Sequence, residues 1–260
     1  MYKIYNLKSN ENVEVSAQAG LFTVLEVQDT PKAKLSKTNA PVMDVWAANM
    51  LQHEKRQLIA QLVESEVVMN DNALSWMVGE CSIIPEESGR FNLKPILNKS
   101  ENSLSGLIRI KGDGTIALKA IDDHLMLVNM RDWLEGLICD RDHFEASEGQ
   151  IKVTCELTTS IPSAQNPQQG IQYISFVGPG IVAIRIPCLS SQLVLVEIEQ
   201  DELRIEGDNA VAWSKTLEFS VSEEPSNVSQ QTKRVQVFKG TGKILLSLVN
   251  PTEKVYFDKI

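Results

Sequence analysis

The sequence is poor in the residues that usually carry catalysis or bind metals. It has three histidines and four cysteines in 260 residues, and no two cysteines form a C-x-x-C pair. Their spacing fits neither a zinc ribbon nor a small disulfide scaffold. No G-x-S-x-G and no G-x-x-x-x-G-K-[ST] motif occurs. A serine hydrolase and a phosphate-binding loop are therefore not indicated, and buried, reduced thiols are expected.

The chain also lacks a long apolar run and an excess of positive charge. No run approaches the ~20 residues that span a bilayer, and the N-terminus does not have the basic-then-apolar layout of a signal peptide. The formal net charge is −9, so general attraction to nucleic acid or anionic lipid is not expected. We predict a cytoplasmic protein with no membrane insertion.

A Gly-x-Gly motif between two strand-like apolar segments occurs three times. The glycines are Gly112, Gly114, Gly178, Gly180, Gly240 and Gly242. The first glycines of successive motifs are 66 and 62 residues apart, at positions 112, 178 and 240. Glycines between strands indicate a tight bend, a bulge or a close approach of two backbones. We interpret these six glycines as structural turns.

Aspartates repeat with a similar period. Asp71, Asp140 and Asp208 are 69 and 68 residues apart, and Asx residues favour turns because their side chains bond the local backbone. Two markers with one period predict an all-β chain made of three small units. A single unit could bury little apolar surface, so the three are expected to pack together.

The predicted division of the chain follows these markers. Strands within residues 1–45 pack on the body, and the three units are 46–113, 114–180 and 181–260. Residues 82–105 and 160–170 are expected to be exposed loops, and residues 222–233 a polar hairpin connection. At most short helices are expected.

Three segments resemble the family of the altered-inheritance-of-mitochondria biogenesis protein and its bacterial relatives of unknown function. They are Asp201–Glu206, Val211–Ser214 and Phe238–Leu246, and Gly178-Pro179-Gly180 resembles the family's central glycine turn. The resemblance implies a fold like that of the tryptophan-RNA-binding attenuation protein, a short variant of the double-stranded β-helix. It further implies three such units in a pseudo-threefold arrangement. Because the family has no settled activity, it implies no catalytic residue.

The middle unit holds the one enzyme candidate. Asp122 with His124, and Asp142 with His143, could converge on a metal, since imidazoles and carboxylates are common ligands. Against this, the chain has no H-x-H pair, and both clusters lie at predicted turns, where Asp is common for backbone reasons. Structural turns are the favoured interpretation.

Charge is uneven along the last third of the chain. Carboxylates dominate residues 194–224, and the cations that follow are Lys233, Arg234, Lys239, Lys243, Lys254 and Lys259. A solvated strand face and an edge protected by lysines are the simpler explanation. The alternative is a basic strip that binds RNA or an acidic protein.

The predicted function is a non-enzymatic assembly or binding scaffold of the cytosol with a protein partner and no cofactor. Two alternatives stay open: a small-ligand or metal-dependent activity in the middle unit, and local RNA binding through the C-terminal basic strip.

Overall fold

The computed structural model is built almost entirely from β-strands in the residues that it describes, which are 2–5, 7, 10–28, 54–85, 106–158, 171–225 and 232–248. The strands are β1 Val13–Ala19, β2 Phe22–Gln28, β3 Glu54–Asn70, β4 Leu74–Pro85, β5 Leu107–Leu118, β6 His124–Asn129, β7 Leu137–Asp140, β8 Phe144–Glu148, β9 Lys152–Thr158, β10 Ile171–Val177, β11 Ile181–Ile186, β12 Leu193–Glu206, β13 Ala210–Ser214, β14 Glu218–Pro225 and β15 Thr232–Ser247. In these ranges the helical segments are 3₁₀ turns of three residues. The all-β prediction is confirmed.

The strands form two antiparallel sheets. The eight-stranded sheet has the order β1-β2-β3-β8-β11-β6, with β5 pairing both β3 and β4. The seven-stranded sheet has the order β12-β15-β13-β7-β10-β9, with β14 on β15. β11 illustrates why these segments are strands: it is rich in β-branched residues, and all but Arg185 of its residues are buried between β6 and β8.

The same pairing pattern recurs three times along the chain. In the middle of the chain β11 pairs with β6 and β8, while β10 pairs with β7 and β9. Near the C-terminus the single long strand β15 takes the places of both β10 and β11. One half of β15 pairs with β13, the other half pairs with β14, and both halves pair with β12. β5 does the same with β3 and β4. We call β3–β5, β6–β11 and β12–β15 the first, second and third pairing groups.

The predicted unit bounds stay a prediction, because these pairings divide the strands without fixing domain ends. The bound after residue 113 falls inside β5, and the bound after 180 falls directly before β11. Two loop predictions were too long: residues 82–85 continue β4 along β5, and residues 222–225 and 232–233 lie in the β14–β15 ladder. The predicted loop at 160–170 and residues 86–105 lie outside the described residues.

Glycine is required where β5 bends. Gly112 has φ of +136°, and a Cβ there would collide with the backbone oxygen of Glu80. The matching glycines are Gly178 (φ +117°), in the β10–β11 turn, and Gly240 (φ +119°), at the bend of β15. Residues that have a Cβ atom are strained at such φ values.

Aromatic packing joins the second and third pairing groups. The ring of Trp213 lies 5.1 Å from that of Tyr173 and 4.8 Å from that of Phe219, centroid to centroid. Phe238, fully buried, completes the cluster at 5.2 Å from Trp213. Tyr173 comes from β10 and the other three from β13–β15, so this cluster holds two groups together.

A buried carboxylate joins the N-terminal hairpin to the body. β2 pairs with β3, and the turn before β2 is held by Glu148, which accepts a hydrogen bond from the backbone N–H of Leu21 at 3.0 Å. The second oxygen of Glu148 accepts from the N–H of Ile181 at 3.0 Å. One side chain therefore connects the hairpin, β8 and β11, and charge-assisted bonds of this kind are among the stronger ones.

Candidate functional site: two open strand edges

Neighbouring pairing groups are joined by a strand junction that occurs twice with the same register. The first junction pairs β3 with β8 through Val67–Glu148, Val68–Ser147 and Met69–Ala146. The second pairs β7 with β13 through Leu137–Ser214, Ile138–Trp213 and Cys139–Ala212. Each junction therefore takes one strand from one group and its partner from the next.

The pairing pattern also places a third copy of each junction strand. Val67 and Leu137 pair with the residues two positions before Gly112 and Gly178, and Leu203 of β12 pairs with Phe238, two positions before Gly240. On the partner side, Trp76, Ala146 and Ala212 pair with the residues five positions after Gly112, Gly178 and Gly240, respectively. Residues 203–205 and 76–78 are thus the third copies of the two strands.

Among the described strands, these third copies border no further strand, because β4 pairs with β5 alone and β12 pairs with β15 alone. We call residues 76–78 the β4 edge and residues 203–205 the β12 edge. Each presents the backbone side that its two equivalents use in a junction.

Burial differs accordingly between the edges and their equivalents. All residues of β8 and β13 are buried. In β4, Met77 is 38% exposed and Trp76 and Val78 are half-buried. In β12, Arg204 is exposed while Ile205 is buried. Farther along β4, Ile83 and Ile84 are 43% and 47% exposed.

Residues of the N-terminal segment pack on the same apolar cluster as Trp76 of the β4 edge. Trp76 packs against a cluster of Leu25, Ile59 and Ala117, and Leu7 and Val13 pack on the same cluster. Tyr2 adds a hydrogen bond between its hydroxyl and that of Thr115 at 2.9 Å. The strand is therefore positioned before any partner binds, which lowers the cost of binding.

Glu202, beside the β12 edge, takes part in two ion pairs. The carboxylate of Glu202 accepts from Lys239 at 2.9 Å and from Arg204 at 3.2 Å. These bonds, that from Lys239 foremost, lower the pKa of Glu202. Lys243 similarly faces Glu197 at 3.5 Å.

The uneven charge in the sequence is thus explained in large part by the β12–β15 and β14–β15 ladders. These ladders place Lys239 and Lys243, and the backbones of Lys233 and Arg234, opposite acidic residues. Lys254 and Lys259 lie outside the described residues. RNA binding by this strip stays a prediction.

The metal candidates lie in two places. His124 is the first residue of β6 and Asp122 lies two residues before it, while Asp142 and His143 are in a 3₁₀ turn after β7. In the described part of the chain, no three side chains of His, Cys, Asp or Glu come together in a way that could hold a metal. Asp123, between the first pair, lies 3.9 Å from Arg185.

Arg185 also pairs with Glu145, which is 3% exposed. Burial raises the pKa of Glu145, and the charge of Arg185 opposes that rise. This pair joins β8 to β11, so its perturbed carboxyl has a structural explanation.

The predicted turn aspartates lie in the same connection of each pairing group but at different positions. Asp140 caps its turn by accepting from the N–H of Asp142 at 2.9 Å. In the first group the cap is Asn70, which accepts from Asn72 at 3.3 Å, and Asp71 is the next residue. Asp208 lies in the short connection between β12 and β13. Sequence reasoning aligned Asp71 with Asp140, whereas the shared capping chemistry aligns Asn70 with it.

The fold and the two edges define a class: an all-β protein of repeated antiparallel pairings in which, among the strands that the structure describes, the first and the last group each keep one open junction strand. The chain belongs to the AIM24 mitochondrial biogenesis family, whose model matches residues 49–247. The expected family is therefore confirmed. The match includes both edges.

A solved structure shares this fold. Protein SPYM3_0169 from Streptococcus pyogenes superposes with a TM-score of 0.52 over 77% of this chain and 90% of its own, at 15% sequence identity. No curated protein matches the sequence. In the described residues, no helix is both long and apolar enough to cross a membrane.

Proposed function

We propose that this protein is a non-enzymatic binding scaffold of the cytosol that recruits a protein strand at the β4 or β12 edge. One observation carries the proposal: both strands are third copies of a junction whose other copies are fully engaged inside the chain. An added strand supplies the missing main-chain hydrogen bonds, and side-chain contacts give specificity.

The perturbed carboxyls support a structural rather than a catalytic role for the interior. Glu145 is paired with Arg185, and Asp140 caps a turn. Cys139 is fully buried, and burial raises the pKa of its thiol, which disfavours the reactive thiolate. These groups have partners or positions that explain them without a substrate.

The test compares the proteins captured from source-cell extract by wild type, Met77→Lys and Arg204→Glu. Each substitution changes an exposed edge side chain and adds or reverses a charge where a partner strand would lie. We expect about tenfold less capture by at least one variant, which corresponds to about 1.4 kcal/mol. Leu134→Lys, at an 81% exposed position in the second group, is the matched control.

Hydrogen exchange identifies the mode of binding. In the captured complex, the backbone amides within residues 76–78 or 203–205 that face away from β5 or β15 should exchange more slowly than in the isolated protein, because a partner strand now bonds them. Equal capture by all variants, together with unchanged exchange at both edges, would refute the scaffold proposal. So would turnover of a substrate that the edge variants retain in full.

A further inference from the structure

We propose that the occupant of each edge is a second copy of this chain, whose β12 edge pairs with the β4 edge of its neighbour. This inference rests on the proposed function and names its partner. The two open edges are the two halves of a single junction, so one chain carries both the strand and the site that receives it.

The two internal junctions specify the register between copies. Val67 and Leu137 are the equivalents of Leu203, and they pair with Glu148 and Ser214, the equivalents of Val78. The pairing continues antiparallel from these residues. The intermolecular pairs are therefore Leu203 with Val78, Arg204 with Met77, and Ile205 with Trp76. No residue needs to be inserted or removed for the third junction to match the other two.

Side-chain chemistry suits this register. Leu203 and Ile205 are aliphatic and would lie opposite the apolar Val78 and Trp76. Cross-strand pairs of aromatic and β-branched residues stabilise antiparallel sheets. Arg204 would lie opposite Met77, where its aliphatic stem can cover the apolar side chain. The nearby carboxylate of Glu202 already has Lys239 as a partner and is not left unpaired by association.

A second copy explains both edges, whereas an unrelated strand explains one. The contact is heterologous, since two different surfaces meet, and such contacts generate rings or open rows of copies. Closure within one chain would require β12 to pair with β4, and the described strand pairings contain no such ladder.

Disulfide trapping in trans tests the register with purified protein. One preparation carries Arg204→Cys and another carries Met77→Cys, and the two are mixed under mild oxidation. Opposite residues have Cβ atoms about 4.5–5.5 Å apart, close to the spacing of a disulfide. We expect a covalent dimer in the mixture and at least about tenfold less in either preparation alone. Wild type, with its four free cysteines, controls for native thiols.

The double variant Arg204→Cys/Met77→Cys distinguishes the geometries. Intermolecular pairing predicts a ladder of linked chains on non-reducing gels. A fast-migrating linked monomer, with no dimer in the mixture of single variants, would show closure within the chain and overturn the proposal. Absence of any linkage would overturn it as well. Edge-dependent capture of a different protein in that case would leave the scaffold function standing.

Discussion

Asp140 and Asn70 perform the same capping task, but only one of them carries a charge. Burial raises the pKa of Asp140, and the neighbouring carboxylates of Asp142 and Asp208 add to this, while the Asp142 N–H and His143 oppose it. Since Asn caps turns about as well as Asp, the first pairing group has the same local structure without a desolvated carboxylate.

Asp140→Asn is therefore expected to keep the cap and to change the pH dependence of stability. Below both pKa values the carboxyl is protonated in the folded and unfolded chain. As pH rises from about 4, the unfolded chain ionises first, so the free energy of unfolding falls until the folded carboxyl ionises too. The variant should lack this fall and be the more stable form at pH 7.

Urea unfolding of both proteins between pH 3 and 8 measures this difference. Asp140→Ala is the control, because it removes the charge and the cap together and should lose about 1 kcal/mol relative to Asp140→Asn. A wild type that becomes more stable than Asp140→Asn as pH rises would contradict the assignment.

At the level of elements, the bends of β5 and β15 depend on glycine to different degrees. At Gly112 a side chain would meet both an unfavourable φ and the backbone oxygen of Glu80. At Gly240 the φ is similar, but the nearest atom to an added Cβ is the backbone oxygen of Thr216 at 3.7 Å. A side chain at Gly240 would therefore strain the backbone but would not collide with another atom.

Gly240→Ala should therefore cost about 1–3 kcal/mol of unfolding free energy, and Gly112→Ala clearly more. Chemical denaturation, read as the shift in midpoint at constant slope, gives both values. Equal losses at the two positions would show that contact with Glu80 contributes nothing to the requirement.

These elements also show how far sequence alone could reach. Gly112, Gly178 and Gly240 were recognisable because few other residues tolerate their φ values. The cap at Asn70 was missed because Asn and Asp do the same chemistry, so a search for repeated aspartates found Asp71 one residue away. The strand β4 was predicted to end early because its polar, proline-bearing continuation hid the pairing of residues 82–85 with β5.

The two edges were beyond local reasoning for a different reason. Whether residues 203–205 and 76–78 border another strand depends on which strands meet across more than a hundred residues of chain. In the same way, Lys239 lies opposite Glu202 only because of the register between β12 and β15. Charge runs in the sequence therefore left open both a solvated strand face and a basic strip, and could not specify which lysines face which carboxylates.

For the whole molecule, association through the edges should make thermal stability depend on protein concentration. Each tenfold rise above the dissociation constant adds about 1.4 kcal/mol, which for a chain of this size raises Tm by about 3–6 °C. Met77→Lys, which places a lysine opposite Arg204, should remove the dependence, and Met77→Glu should keep it.

Scanning calorimetry at several concentrations, with sedimentation at the same concentrations, provides the measurement. Leu134→Lys should retain the wild-type slope, since Leu134 lies outside both edges. A wild-type Tm that does not change with concentration, in a protein that sediments as a monomer throughout, would rule out association by this route.

The two ends of the strand array are chemically unlike, with Trp76 and Met77 at one and Arg204 beside its ion-paired Glu202 at the other. A row of such copies is therefore polar, with a head that differs from its tail. A single chain defective at Met77 could still attach by its intact β12 edge, but nothing could then be added beyond it. Growth would stop from one direction only, so a small fraction of defective copies would set the length of every row.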